Sequence, residues 1–338
     1  MKAVTTLGPS PEHPEGILLD TSISFPPLPG PHDLRVRVEA VAVNPVDLKV
    51  RSTLAPGTPP QVLGWDAAGV VEAVGGSVQR FRLGDAVLFA GAIHRPGCQA
   101  ESVLVDARLV GRKPANLSFA EAAALPLTGL TAWESLFERL GLDPDGGDRG
   151  RTLLILGAAG GVGSLAIQLA RRAELRVIAS ASRPESQAWV KQLGAEWVVD
   201  HSLPIGPQLD AMGLETVDAI ANFHDTDRYW ELMAERIRPQ GGIVALVSSK
   251  GGLDLNRLKS KSVRFCWEYM FTRSQFQTPD LEEQGKILDA LASAVEAGTV
   301  VSTARTFLQP IRATTLSEAY SLLQGGHSLG KIVLSGWS

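Results

Sequence analysis

Cysteine is nearly absent from this 338-residue chain: Cys98 and Cys266 are the only two. Two thiols make no disulfide framework and point to a reducing cytoplasm. They also cannot form a four-cysteine structural zinc site. No apolar run reaches the length of a membrane span. No block of Lys or Arg marks a nucleic-acid surface, in keeping with a net charge of -4. Internal repeats and low-complexity segments are missing as well. The opening Met1-Lys2-Ala3-Val4-Thr5-Thr6 turns polar too early for a secretory signal. What remains is an ordinary globular composition, at a length that suits two domains.

One stretch carries most of the chemistry. Leu153 to Leu156 form a continuous apolar run, as expected of a strand buried on both faces of a parallel sheet. Gly157-Ala158-Ala159-Gly160-Gly161-Val162-Gly163 follows at once. Val162, Leu165, Ala166, Leu169, Ala170 and Ala173 then recur at helical spacing, and Val177 to Ala179 give a second strand. Such a turn brings a pyrophosphate onto backbone amides at a helix N-terminus, where the dipole favours negative charge. The pattern departs from Gly-x-Gly-x-x-Gly: Ala158 holds the first glycine position, with Gly160 and Gly163 in the second and third. Ala158, Gly160, Gly161, Val162 and Gly163 are therefore candidate cofactor-binding residues. A purely structural turn is the alternative, and the flanking strand and helix favour the dinucleotide.

The end of the second strand selects the cofactor. An Asp or Glu there would bind a ribose 2′-hydroxyl and favour NAD. The acid is missing: the chain reads Ser180-Ala181-Ser182-Arg183, with none before Glu185. A hydroxyl followed by a guanidinium suits a 2′-phosphate, so the cofactor reads as NADPH, held by Ser182 and Arg183. Ser182 is also placed to cap the helix that Pro184 and Glu185 begin.

The first third reads as short strands broken by Pro and Gly: Lys2–Thr6, Gly16–Leu19, Leu34–Val43, Ala67–Val74, Ala86–Phe89 and Gln99–Val105, with a tight turn at Gly84-Asp85. That pattern suggests a partly open β-barrel. Asn44-Pro45-Val46-Asp47 interrupts it. Asn is a good N-cap, Pro suits the first helical position and Asp the first turn, which predicts a helix from Asn44 to about Arg51. Capping alone would account for both polar residues. Trp65, taken by itself, reads as a core aromatic. His94 and Cys98 stand four apart, but Pro96 and Gly97 argue against a helix that would aim both at one metal.

Phe119–Ala132 reads as helix, break, helix. Beyond the glycine-rich unit, strands at Trp197–Val199, Val217–Ala221, Ile243–Val247 and Val263–Tyr269 alternate with helices at Pro207–Met212 and Arg228–Ile237, the second ended by Pro239-Gln240-Gly241-Gly242. This is a doubly wound parallel sheet, an α/β fold. A helix at Leu281–Ala297, a strand at Val300–Thr306, a helix at Ala313–Leu323 and a strand at Lys331–Leu334 then return the chain to its first domain. The expected domains are residues 1–127 with 276–338, and residues 128–275. Val263–Tyr269 would be a terminal strand carrying Phe265, Trp267 and Tyr269 on one face. Pairing across a two-fold axis would cover it, which predicts a homodimer.

As a set, these residues resemble the medium-chain dehydrogenase/reductase superfamily, and within it the quinone oxidoreductase branch with the bacterial zinc-type alcohol dehydrogenase-like proteins. The matching pieces are Asn44-Pro45-Val46-Asp47, Gly64-Trp65-Asp66-Ala67-Ala68-Gly69, Leu125-Pro126-Leu127-Thr128, Ala158 to Gly163, Ser182-Arg183-Pro184-Glu185 and Gly330-Lys331-Ile332-Val333-Leu334. They run through nearly the whole chain in order. The resemblance implies a GroES-like β-barrel catalytic domain built from both chain ends and a Rossmann domain between. It implies that Asn44, Asp47, Trp65 and Thr128 line the nicotinamide end, and that Ser182, Arg183 and His201 surround the adenosine phosphate. Zinc-dependent members place Cys where Asn44 stands, His where Trp65 stands, and a second Cys near Leu125–Thr128. All three ligand types are missing here, and Asp66 alone cannot hold a zinc.

The expected function is NADPH-dependent transfer of hydride to a quinone or an α,β-unsaturated carbonyl, a small-molecule substrate, without zinc. An oxyanion donor, the Asn44 amide or a backbone N–H, would then replace the metal. Two rival readings stand beside it. A zinc-dependent alcohol dehydrogenase would carry about one zinc per chain after dialysis. A low-turnover NADPH-binding sensor or structural protein would bind the cofactor tightly and leave it unoxidised across a broad panel of quinones and enones.

Overall fold

The computed structural model describes residues 1–337 apart from 11, 14 and 15. The chain divides into two compact units, Met1–Leu130 with Phe271–Ser338, and Thr131–Met270.

The first unit is built from antiparallel strands. In its larger sheet the order is Ala304–Leu308, Lys331–Ser335, Asp33–Ala42, Ala67–Val74, Ala86–Phe89 and Val110–Arg112, with Ser102–Asp106 also paired to Asp33–Ala42. Only Ala304–Leu308 runs parallel to its neighbour among these pairs. Lys2–Leu7 lies between Ile17–Ser22 and Gln61–Val62 in a smaller sheet. Alternate residues of Asp33–Ala42, Leu34, Val36 and Val38, are buried, as a two-faced strand requires. They share one core with Val71, Val87, Phe89, Leu316, Tyr320 and Leu334, so both ends of the chain close on the same apolar centre. Gly84 sits at φ +88° and the Asp85 carboxylate accepts the Arg82 N–H at 2.8 Å, which makes the expected tight turn.

The second unit is a six-stranded parallel sheet in the order Trp197–Val199, Arg176–Ser180, Thr152–Leu156, Val217–Asn222, Ile237–Ala245, Arg264–Trp267. Every residue of Thr152–Leu156 is buried, which explains its unbroken apolar run. The order reverses beside that central strand, between Arg176–Ser180 and Val217–Asn222. In open α/β sheets ligands bind at such a reversal, outside the carboxyl ends of the strands. The α/β class, with a Rossmann sheet and a GroES-like unit, is thus the observed fold.

Several boundaries differ from expectation. The helix after Thr226 stops at Arg236, and the next strand begins at Ile237 instead of Ile243. Pro239-Gln240-Gly241-Gly242 is a bulge within that strand, with Gln240 at φ +62° and its N–H bonded to the Lys261 carbonyl at 2.7 Å. The strand read at Val300–Thr306 is Ala304–Leu308. The helix read at Pro207–Met212 starts at Ile205, so Pro207 sits in its first turn, where no intrahelical N–H is needed. After Pro126–Trp133 the helix widens into a π-helical turn at Glu134–Arg139. No helix among the described residues is long and apolar enough to cross a membrane.

Candidate active site

In the first unit, a helix start and a strand end converge on a buried charge. The helix Pro45–Thr53 begins as expected, with Pro45 in the first turn and Asp47 accepting the Asn44 backbone N–H at 2.9 Å. The Asn44 side chain makes no capping bond. Its amide instead donates to Asp66 Oδ2 at 3.0 Å and, weakly, to the Ala42 carbonyl at 3.5 Å. Capping therefore does not explain the Asn44 side chain. Nor is its amide left free as an oxyanion donor, because its hydrogens face internal acceptors.

Lys331 completes the cluster. Its ammonium donates to Asn44 Oδ1 at 2.6 Å and to the Val43 carbonyl at 2.7 Å, and it lies 3.0 Å from Asp66 Oδ2. The Leu127 N–H donates to Asp66 Oδ1 at 2.9 Å. Asp66 and Lys331 are buried, with side chains 0% and 4% exposed. Burial pushes the Asp66 carboxyl up, while Lys331 and the Leu127 N–H pull it back. This lysine was not singled out by its chemistry in the sequence. It stands in an apolar strand 265 positions beyond Asp66, and no local pattern links the two.

Asp47 is close by and differently placed. One carboxylate oxygen takes the Asn44 N–H, and the other is buried without a partner. Burial raises its pKa to about 7, against the lowering effects of that N–H and of Lys331. Trp65 is buried, donates its indole N–H to the Ala92 carbonyl at 3.3 Å and meets Phe271 edge to face at 6.3 Å between centroids. Thr128 is buried and its hydroxyl donates to the Ala124 carbonyl at 3.0 Å. Cys98 is buried with its thiol on the Asp66 carbonyl at 3.4 Å, and burial pushes that thiol well up. His94 is exposed in a turn, so the two do not form a ligand pair.

These residues do not fit a zinc. The positions that resemble the family's ligands hold an amide and an indole, and the Asp66 carboxylate next to them is paired with Lys331. Among the described residues, no group of three or more His, Cys, Asp or Glu side chains could hold a metal.

In the second unit the glycine-rich turn links Thr152–Leu156 to the helix Gly161–Arg172, whose N-cap is Gly160. The tight turn itself is made by Gly157, at φ +78°, one residue before the position assigned to the first glycine. Its N–H donates to the Ser180 hydroxyl at 3.0 Å, tying the turn to the next strand. Ala158 is fully buried. A Cβ at Gly163 would lie 2.5 Å from the Ala158 Cα, so this glycine serves the close packing of helix on turn. A Cβ at Gly160 would meet nothing nearer than the Gly157 carbonyl at 3.5 Å. The backbone there is open, as an approaching pyrophosphate needs. Gly161 and Val162 form the first turn of the helix.

Ser182 does not cap the following helix. Arg183 occupies the N-cap, with Pro184 first in the helix, and the Arg183 N–H donates to the Ser186 hydroxyl at 3.1 Å. The Ser182 hydroxyl instead meets His201 Nε2 at 3.1 Å. Ser182 and His201, the second of which sequence reasoning reached only through resemblance, are therefore direct partners.

The fold and the turn define a nicotinamide-dinucleotide-binding oxidoreductase. Residues 30–127 match the alcohol dehydrogenase GroES-like domain and residues 161–283 the zinc-binding dehydrogenase domain. A zinc-type alcohol dehydrogenase-like protein from Staphylococcus epidermidis is 38% identical over 310 residues, 91% of this chain and 92% of the relative. The chloroplastic quinone-oxidoreductase homolog of Spinacia oleracea is 28% identical over 318 residues, 91% of each chain. A solved Rhizobium etli structure, labelled a zinc-dependent alcohol dehydrogenase protein, is 45% identical, with a TM-score of 0.94 over 100% of this chain and 98% of that one. The chain belongs to the medium-chain dehydrogenase/reductase superfamily, and quinone oxidoreductases are among its relatives.

Proposed function

We propose that this protein transfers hydride from NADPH to a quinone or an α,β-unsaturated carbonyl without a metal. The observation that carries this reading is the Asn44–Asp66–Lys331 cluster: a lysine ammonium, and not a metal ion, balances the one buried carboxylate at the family's ligand positions. In the zinc-dependent relatives that the sequence resembles, a metal favours the alkoxide of a simple alcohol. A conjugated acceptor is already polarised and needs less help.

The cofactor supplies the hydride when bound. The first-turn amides at Gly161 and Val162 face its pyrophosphate, the open backbone at Gly160 lets it approach, and Gly163 keeps helix and turn in contact. Ser182, Arg183 and His201 offer a hydroxyl, a guanidinium and a ring nitrogen to a 2′-phosphate, and no acid stands at Ser180–Arg183, where one would bind a ribose 2′-hydroxyl. Asn44 and Lys331 hold the polar floor of the catalytic unit in one arrangement, with Asp47, Trp65 and Thr128 around it. The zinc named in the family relatives is not carried over to this chain.

A screen of NADPH oxidation tests this. Quinones and enones should be reduced, and simple alcohols should be oxidised far more slowly with NADP. Turnover of simple alcohols with no quinone or enone reduction would overturn the reading. Tight NADPH binding with no acceptor in a broad panel would favour a sensor instead.

A further inference from the structure

Four side chains with basic heads gather at the carboxyl ends of Arg176–Ser180, Trp197–Val199 and Val217–Asn222. His201 feels the charges of Arg183, of Arg228 from the next helix, and of His224 from the loop after the third strand. Arg228 donates to the His201 carbonyl at 2.9 Å, which fixes its guanidinium beside the histidine. The facing acid is Asp200, and its carboxylate is already engaged by the Ser202 N–H at 2.8 Å and hydroxyl at 2.6 Å. Asp225 is likewise held, accepting the Arg228 N–H at 3.0 Å. His201 and Arg228 also border an open cleft of about 460 Å³, shared with Tyr229, Glu231 and Glu235, so solvent and ions reach them.

We propose that His201 is a proton-linked anion receptor: a phosphomonoester bound beside Ser182 and Arg183 draws a proton from solvent onto the His201 ring, and Arg228 serves as a second guanidinium for the same anion. This rests on the NADPH reading and adds to it a residue and a pH dependence.

The Ser182–His201 contact supplies the mechanism. In a neutral ring protonated on Nδ1, Nε2 accepts the Ser182 O–H, and the hydroxyl hydrogen is spent inward. Once the ring takes a second proton, Nε2–H donates to Ser182 Oγ. The hydroxyl hydrogen then turns outward to an acceptor. Burial, Arg228, His224 and Arg183 together hold the His201 ring below its ordinary range, against a smaller pull from Asp200. These groups therefore favour the neutral ring over the charged one. A phosphate of charge near -2 reverses that local field and raises the ring. Affinity for the phosphorylated cofactor should then rise as pH falls through the free and bound ring values, by at most about tenfold per pH unit for one linked proton.

Calorimetric titration of NADPH and NADH from pH 6 to 8.5, in buffers of different ionisation heat, tests this on the wild type, His201→Gln and Arg228→Gln. The wild type should take up more protons per NADPH than His201→Gln, and its NADPH affinity should depend more steeply on pH. The cofactor's own phosphate ionises alike in both and cancels in the comparison. Arg228→Gln should weaken NADPH roughly tenfold, about 1.4 kcal/mol. Unchanged NADH affinity in both variants shows that they fold. Equal proton uptake and equal pH slopes in wild type and His201→Gln, with NADPH still preferred, would overturn this inference alone. Equal affinity of the wild type for NADH and NADPH at every pH would overturn the cofactor reading, and this inference with it.

Discussion

Lys331→Met removes an ammonium from a buried carboxylate while keeping a chain of similar length. Three contacts are lost at once: Asp66 Oδ2 at 3.0 Å, Asn44 Oδ1 at 2.6 Å and the Val43 carbonyl at 2.7 Å. Asp66 keeps the Leu127 N–H and the Asn44 amide, but no positive charge. Breaking a buried pair from one side costs about 3–5 kcal/mol, a large share of the 5–15 kcal/mol typical of a folded chain. At roughly 2–4 °C per kcal/mol, Tm should fall by about 6–20 °C.

The loss should depend on pH in a definite direction. The Asp66 carboxyl already stands above its ordinary 3.8 when folded, and losing Lys331 raises it further. The unfolded chain then gives up its proton first as pH rises, so stability falls with rising pH above that ordinary value. The variant should lose less at pH 5 than at pH 8. Adding Asp66→Asn should recover part of the loss, because an amide oxygen can still accept the Leu127 N–H and carries no charge. Thermal and urea unfolding followed by circular dichroism, at both pH values, reads each point. A loss under about 1 kcal/mol, or one that is equal at both pH values, would refute the assignment of Lys331 as the buried counter-ion.

Arg183→Ala should weaken NADPH binding about 10- to 150-fold, the equivalent of roughly 1.5–3 kcal/mol for a charge-assisted contact, with NADH nearly unaffected; equal losses for both would contradict the cofactor reading. For Asp47, a folded pKa of about 7 over an ordinary 3.8 means its contribution to stability is greatest below the lower value and declines up to the higher one. Asp47→Asn keeps an oxygen for the Asn44 N–H, so the variant should gain Tm relative to wild type between pH 5 and 8, and a difference that does not change with pH would refute this. The terminal strand is Arg264–Trp267, shorter than the expected Val263–Tyr269; Trp267 on it and Tyr269 just beyond it are 46% and 45% exposed, and light scattering at micromolar concentration should find a homodimer formed along that edge, which a monomer would contradict.

Much of the Rossmann unit was legible because its strands are buried on both faces. Trp197–Val199 is where its apolar run lies, and Val217–Asn222 and Arg176–Ser180 extend theirs by a residue or two. In the sequence Pro239–Gly242 marks only the end of a helix, since Pro and Gly break a pattern whether the chain leaves the sheet or kinks within it. The π-helical turn at Glu134–Arg139 leaves no mark on apolar spacing. In the site, the residue types at Asn44 and Trp65 were informative, because neither suits a zinc. Their geometry was not, since it depends on Lys331, whose strand pairs with Asp33–Ala42 from the far end of the chain. Gly157 and Ser180 are hidden for a related reason: the motif names positions, whereas the turn is made by the glycine that takes positive φ.

The central claim is that a lysine, not a metal, completes this site. The most direct test is turnover of one protein sample before and after exhaustive chelation, with its metal content measured alongside. Metal-free protein that reduces a quinone or enone with NADPH at the rate of the untreated sample is the predicted result. Activity that falls with the chelated metal, and returns when about one zinc per chain is restored, would contradict the account.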